Sequence, residues 1–304
     1  MVDISAKMVN ELRQRTGVGL MDCKRALIAA DGDMEKAVEN LRVQGLAAAA
    51  KKSGREASDG LTAAWVNDKG DAGVLIQVHC ETDFVARTDD FRELVKSLLE
   101  HYAGSERLNT TGKWDCCEEL LAECYSPDKS RTVRDILGDA VGKIGENIQL
   151  GRVAVLNFAG RNAFVQAYEH MGGSVTSLVA IETGNPETQK DPRFLALAKD
   201  LAMQAAAGIP MVAVAMSRDE VPESILEEEK KVYREQTISE GKPENLVEKI
   251  VMGRLNKYYS EAVLLEQPFI KDDKLSVQKV VEGVAKEIGD TIKPLAFYRF
   301  AIKE

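Results

Sequence analysis

The sequence predicts an α+β protein: a short helical bundle, then a duplicated core of antiparallel sheet plus helices, with an antiparallel helical hairpin inserted late in the chain. Three observations carry this expectation. Apolar side chains recur at helical spacing through residues 3–45, broken twice by glycine-containing turns. Strand-like alternation replaces that period beyond residue 55 and returns roughly a hundred residues later, each time as two strands followed by an apolar helix. Residues 222–260 then hold two helical stretches around a Glu-Gly-Lys-Pro turn.

The first helix sets Ile4, Met8 and Leu12 four apart on one stripe, and TGVG at residues 16–19 ends it. A second helix over residues 20–30 turns Cys23, Ala26 and Leu27 inward, and Asp31-Gly32-Asp33 breaks the chain again. Asp33 is the expected N-cap of a third helix that faces Ala37, Val38 and Leu41 inward and stops near Gly45. So small a bundle buries little core, which suits a recognition module tied to something larger. Residues 46–60 run from alanines through Lys51-Lys52 to Ser-Asp-Gly and read as a partly helical linker. Residues 61–66 and 74–80 form a hairpin, and the helix from Asp89 carries Phe91, Leu94, Val95, Leu98 and Leu99. The second copy pairs residues 163–168 with 175–181 about Gly172-Gly173. Both second strands end in Glu-Thr (Glu81-Thr82, Glu182-Thr183), and Phe194 answers Phe91. In the inserted hairpin, EEEKKVYREQ (227–236) has too sparse an apolar stripe for a core helix, so the seam is completed by its partner helix or by another molecule. A strand over residues 295–302 closes the chain.

Hydrophobic residues make up 44% and charged residues 29%, the balance of a folded globular protein rather than a disordered one. No apolar run approaches the ~20 residues of a membrane span, and the N-terminus opens on an amphipathic pattern rather than a leader, so a cytoplasmic protein with no membrane association is expected. The net charge of -9 disfavours direct nucleic-acid binding, which wants clustered cations on a net-basic face. Five cysteines make neither a paired framework nor a CxxC, and reduced thiols are expected. His79 and Cys80 are strand neighbours pointing to opposite faces, so a thiol hydrolase would have to recruit the distant His101 or His170. Cys116 and Cys124, if on one helix, lie about 12 Å apart along its axis, too far for one zinc ion. With no phosphate loop, no GxGxxG and no HExxH, no cofactor, metal or catalytic residue is expected.

Two segments remain. Residues 12–27 (LRQRTGVGLMDCKRAL) form a helix, turn and helix whose second helix lacks the polar side chains that read DNA bases, which favours protein recognition. Residues 77–87 (QVHCETDFVAR) leave a strand for a polar loop that contains Phe84. That phenylalanine is either a plug for its own core or an exposed wedge of the kind that dominates interfaces.

Together LRQRTGVGLMDCKRAL and HCETDFVAR resemble the two signature regions of the bacterial elongation factor Ts family, in the same order and region of the chain. KIGENI (143–148), YEH (168–170) and QPFI (267–270) agree, so the resemblance runs through almost the whole chain. It implies a ubiquitin-associated-like three-helix domain (1–54), two core subdomains (55–142; 143–221 with 261–304) and an inserted coiled-coil hairpin (222–260). The implied activity is that of a non-enzymatic guanine nucleotide exchange factor for the translational GTPase elongation factor Tu, met in its GDP-bound and nucleotide-free forms. In the family the TDFV loop, here Thr82, Asp83, Phe84 and Val85, acts beside the bound nucleotide and helps dislodge its magnesium. The other GTPase contacts fall on Arg13, Leu20, Met21, Lys24, Ile144, Gly145, His170 and Ile270. Self-association through the hairpin or the core is left open by the resemblance. Gln77, His79 and Lys271 depart from the family's usual residues, and the C-terminal helical module of some members is expected to be absent.

An adaptor that uses the three-helix domain to bind ubiquitin-like or nascent chains is the rival binding function.

Overall fold

In the computed structural model, which describes residues 4–303, the N-terminal pattern becomes α1 (Ala6–Thr16), α2 (Leu20–Ala29) and α3 (Met34–Lys52). Residues 1–3 and Glu304, inside the expected first and last segments, lie outside the described residues. The Ser5 and Asp33 side chains cap α1 and α3 by accepting the N–H groups of Met8 and Lys36. Gly17, at φ 70°, closes α1 in the left-handed region by donating its N–H to Arg13 O. Leu12, Cys23, Ala26, Leu27 and Ala37 fill the space between the three helices, and Ile4 packs on them from outside α1.

The third helix does not stop near Gly45. It runs on to Lys52 because Gly45 is where α3 crosses another helix: a Cβ there would sit 2.8 Å from the Gly138 carbonyl oxygen. The glycine permits a close approach and terminates nothing.

The first sheet contains β1 (Asp59–Val66), β2 (Ala72–Cys80), β3 (Gly112–Asp115) and β4 (Gln149–Asn157) in the order β1-β2-β4-β3, every pair antiparallel. One-turn α4 (Asp83–Ala86), then α5 (Asp89–Ala103), short α6 (Glu118–Ala122) and α7 (Val133–Ile144) follow along this part of the chain. Val74, Ile76, Val78 and Cys80 of β2 face the helices with Phe91, Leu98 and Val141, while Leu75 faces the other way. Burial on both faces explains why β2 reads as a continuous apolar run instead of an alternating one. β4 carries an extra residue opposite Gln77, which shifts the register between Ile76 and Val78.

The second sheet, β5 (Ala163–His170), β6 (Val175–Thr183) and β9 (Ile292–Ala301), has the order β5-β6-β9. Its outer face is covered by α8 (Pro192–Ala207) and α11 (Val277–Ile288). Between them the chain makes α9 (Glu223–Ser239), α10 (Glu244–Ala262) and the small pair β7 (Pro268–Phe269) and β8 (Asp272–Ser276). The inner faces of the two sheets meet through Leu75, Ala154, Leu156, Val165, Leu178 and Phe300, so the layers run helix, sheet, sheet, helix.

Each copy is longer than the strand-strand-helix unit visible in sequence. β1-β2-α5 is completed by α7 and β4, and β5-β6-α8 by α11 and β9. The expected boundary at 142/143 is therefore misplaced: residues 149–157 pair with β2 and β3, in the first sheet. Cys116 and Cys124 share no helix either, since Cys116 follows β3 and Cys124 bridges to Thr132 beyond α6. Among the described residues no helix is long and apolar enough to cross a membrane.

Candidate functional site

Beyond Cys80 the chain leaves β2 and turns at once into α4, whose N-cap Thr82 accepts the Val85 N–H on its Oγ1. The expected loop is thus one turn of helix. Ala86 points inward and is buried; Phe84, about 200° away around the helix, points out and is 80% exposed. The core-plug reading of Phe84 is overturned. Val85 rests against the first core, and Asp83 pairs with Arg87 at 2.9 Å.

The turn is held by Glu146. Its Oε2 accepts the backbone N–H groups of Glu81 and Thr82, each at 3.1 Å, and its Oε1 accepts the Thr82 hydroxyl at 2.7 Å. Three bonds to one carboxylate fix the backbone from which Phe84 projects. In return Glu81 accepts the Asn147 N–H at 2.6 Å. The Cys80 thiol donates to Thr82 O at 3.2 Å, and burial, with the nearby Glu146 charge, pushes its pKa up to about 12. Cys80 is therefore a protonated structural donor, not a nucleophile. His101, buried on α5, accepts from the Ser126 N–H and lies 3.4 Å from Glu123. With His170 exposed at the far end of β5, neither histidine serves Cys80, and the thiol-hydrolase alternative falls.

Two further segments converge here. Gly145 ends α7 at φ 89°, and its carbonyl accepts the Lys52 ammonium at 2.5 Å, while Ile144 packs on the first core. Lys143 reaches Asp90 at 2.7 Å, and its stem lies so close to Gly17 that a Cβ there would be 2.6 Å from Cε. The TGVG turn, the end of α7 and the start of α5 are consequently neighbours. Just beyond that turn, Leu20 and Met21 are exposed, as are Arg13 and Lys24.

His170 is exposed, its Nδ1 3.2 Å from the Tyr168 hydroxyl. Met171 follows at φ 48° and is 78% exposed. The turn is pinned to β1, because Thr62 donates its N–H to Gly173 O at 2.7 Å and a Cβ on Gly173 would meet Thr62 O at 2.8 Å. A cleft of about 630 Å³ separates Asp83 and Arg87 from Met171 and Gly172. Asp83, Ala86 and Arg87 at α4 and Met171 and Gly172 of the turn after β5 thus line one cleft. Ile270 belongs elsewhere: it is exposed on the β7–β8 turn and donates its N–H to Gln204 of α8.

Gln77 is buried between the sheets, donating to Ala301 O at 2.7 Å and accepting from Arg152 at 2.8 Å. Burial, assisted by the Arg152 charge, lowers the His79 pKa below its ordinary value. Sequence reasoning missed Glu146 and Met171. An acidic residue directly after a helix-ending glycine was the available sign of the first, and a methionine before Gly-Gly that of the second.

The sequence profile of the family described as "Elongation factor TS" matches residues 81–304, beginning at the anchored turn. The chain is 40% identical to elongation factor Ts of Trichlorobacter lovleyi over 301 residues, 99% of this chain and 93% of that protein. It is 43% identical to elongation factor Ts of Clostridium botulinum (strain Loch Maree) over 297 residues, 98% and 92% of the two. With elongation factor Ts of Lawsonia intracellularis it shares 40% identity over 304 residues, the whole of both chains.

Proposed function

The chain belongs to the elongation factor Ts family, and from that premise we propose that it is a guanine nucleotide exchange factor that drives GDP out of elongation factor Tu. The observation that carries the reading is Phe84, a large apolar side chain left in water on a turn that a carboxylate holds rigid. A mobile aromatic would lose part of its binding energy to ordering; an anchored one does not. Thr82, Asp83, Phe84 and Val85 enter the GTPase beside its nucleotide and disturb the magnesium site.

Burying Phe84 in an apolar slot stabilises the complex by about 1.5–3 kcal/mol. That energy holds the GTPase in a form with low affinity for GDP, and because the coupling is reciprocal, factor and GDP weaken each other's binding. Proton transfer and a metal ligand are not required of this chain. Arg13, Leu20, Met21 and Lys24 supply a second contact, Ile144, Gly145 and His170 flank the wedge, and Ile270 reaches a separate surface of the same partner. Residues 222–260 act as a coiled-coil arm for association, and the protein works in the cytoplasm.

The test is release of fluorescent GDP from purified elongation factor Tu with excess unlabelled nucleotide. Acceleration that saturates with the factor is expected. An unchanged release rate at saturating protein would overturn the proposal and favour an adaptor role for α1–α3.

A further inference from the structure

Glu146 sits where stability alone would place a cation. It follows Gly145, the residue that closes α7 in the left-handed region, and so lies just past the helix C-terminus, where the macrodipole favours positive side chains and opposes negative ones. The cations of the neighbouring segments are engaged elsewhere: Lys143 with Asp90, Arg55 with Glu81 and Lys52 with the Gly145 carbonyl. The Glu146 carboxylate is met instead by the Glu81 N–H, the Thr82 N–H and the Thr82 hydroxyl.

Those donors all belong to the turn that bears Phe84. The Thr82 Oγ1 that donates to Glu146 also accepts the Val85 N–H, and Thr82 O accepts the Cys80 thiol and the Ala86 N–H. Every polar atom of Thr82 is therefore held, two of them by Glu146. Ala86 and Val85 seat α4 on the first core, while the carboxylate fixes how the chain leaves β2. The Phe84 side chain, 80% exposed, has no packing of its own to aim it, so its direction follows from that backbone.

We propose that Glu146 is a positioning residue for nucleotide exchange: it acts through Phe84 rather than by contact with the GTPase, setting the direction of the aromatic before the partner arrives. Binding then loses nothing to ordering the turn. This role rests on the exchange-factor reading above and adds to it a residue whose whole effect passes through Phe84. The carboxylate itself is required. It is acceptor-only and takes three donors on two oxygens, whereas a glutamine of the same shape offers one oxygen and turns an NH2 group on the remaining donors.

Glu146→Gln and Phe84→Ala, made singly and together in the full chain, test this by release of fluorescent GDP from elongation factor Tu. Glu146→Gln should lower exchange efficiency about tenfold while the protein still unfolds cooperatively. The amides of Glu81, Thr82 and Val85 should exchange hydrogen faster than in the parent. In the Phe84→Ala protein the same substitution should cause no further loss, within about twofold. Glu146→Asp keeps the charge and should recover part of the loss; it carries the same cycle if the glutamine variant does not fold. The proposal is overturned if Glu146→Gln exchanges as fast as the parent or if residues 81–85 stay equally protected. It is overturned equally if the loss is as large on top of Phe84→Ala as alone, since Glu146 would then act independently of the wedge. A parent chain that leaves GDP release unchanged would refute the exchange-factor reading itself, and this role with it.

Discussion

At the residue scale, Phe84 and Cys80 sit four positions apart and have opposite fates. Phe84 projects from α4 into water, so Phe84→Ala removes no packing and should change stability by less than about 0.5 kcal/mol. If its burial holds the GTPase open, the same change costs about 2 kcal/mol of transition-state stabilisation, roughly thirtyfold in exchange. Thermal unfolding and GDP release measured on one preparation check both halves, and a marked fall in melting temperature would contradict the geometry. Cys80 faces the first core, with a thiol that burial keeps protonated up to about pH 12. Alkylation of the native protein at pH 8 should therefore modify Cys117, Cys124 and, more slowly because burial raises its thiol, Cys116. Cys23 and Cys80 should react only after unfolding. Mass spectrometry counts the adducts, and early modification of Cys80 would show that β2 opens.

At the scale of elements, the informative junction is α3 against α7. Gly45 and Gly138 face each other across it: a Cβ on Gly45 would lie 2.8 Å from Gly138 O, and one on Gly138 would lie 2.7 Å from Leu46 Cδ2. Arg42 adds an ion pair to Asp135 at 2.9 Å. Burial works to raise the Asp135 carboxyl, but the Thr132 N–H and the Arg42 guanidinium outweigh it and hold the pKa below the ordinary range. Gly45→Val should cost about 1–3 kcal/mol by forcing the helices apart. It should also loosen the Lys52 contact to Gly145 O, next to the Glu146 that holds the anchored turn. Hydrogen exchange over residues 81–88 is the direct reading, and an unchanged profile in a destabilised protein would disconnect the helical bundle from the candidate site.

For the whole molecule, the two sheets stabilise one another. Leu75, Leu156, Leu178 and Phe300 are fully buried between them, and the Thr62 hydroxyl donates across to Thr176 at 2.7 Å. Because β4 lies between β2 and β3, a fragment of residues 1–142 lacks the middle of its own sheet and should remain unfolded. Residues 1–160 and 161–304, co-expressed, should associate into a folded pair. Circular dichroism and gel filtration decide the matter. A cooperatively melting 1–142 fragment would restore the boundary drawn from sequence.

Much of this was legible before any coordinates. The Asp33 cap of α3, the paired hairpins, the apolar helices from Asp89 and Phe194, and the helical hairpin all follow from local periodicity and turn chemistry, which act over a few residues. The family follows from motifs read in order. What escaped were the features set by distant neighbours. Gly45 looked like a stop because its partner, Gly138, lies far along the chain. Residues 149–157 went unassigned because a strand buried on both faces shows no alternation, and Glu146 was passed over because its three hydrogen-bond donors lie in another segment. Phe84 could be weighed as plug or wedge from sequence, but only the direction in which α4 leaves β2 decided that it faces water. That direction is a property of the packed sheet and helices, and no local pattern encodes it.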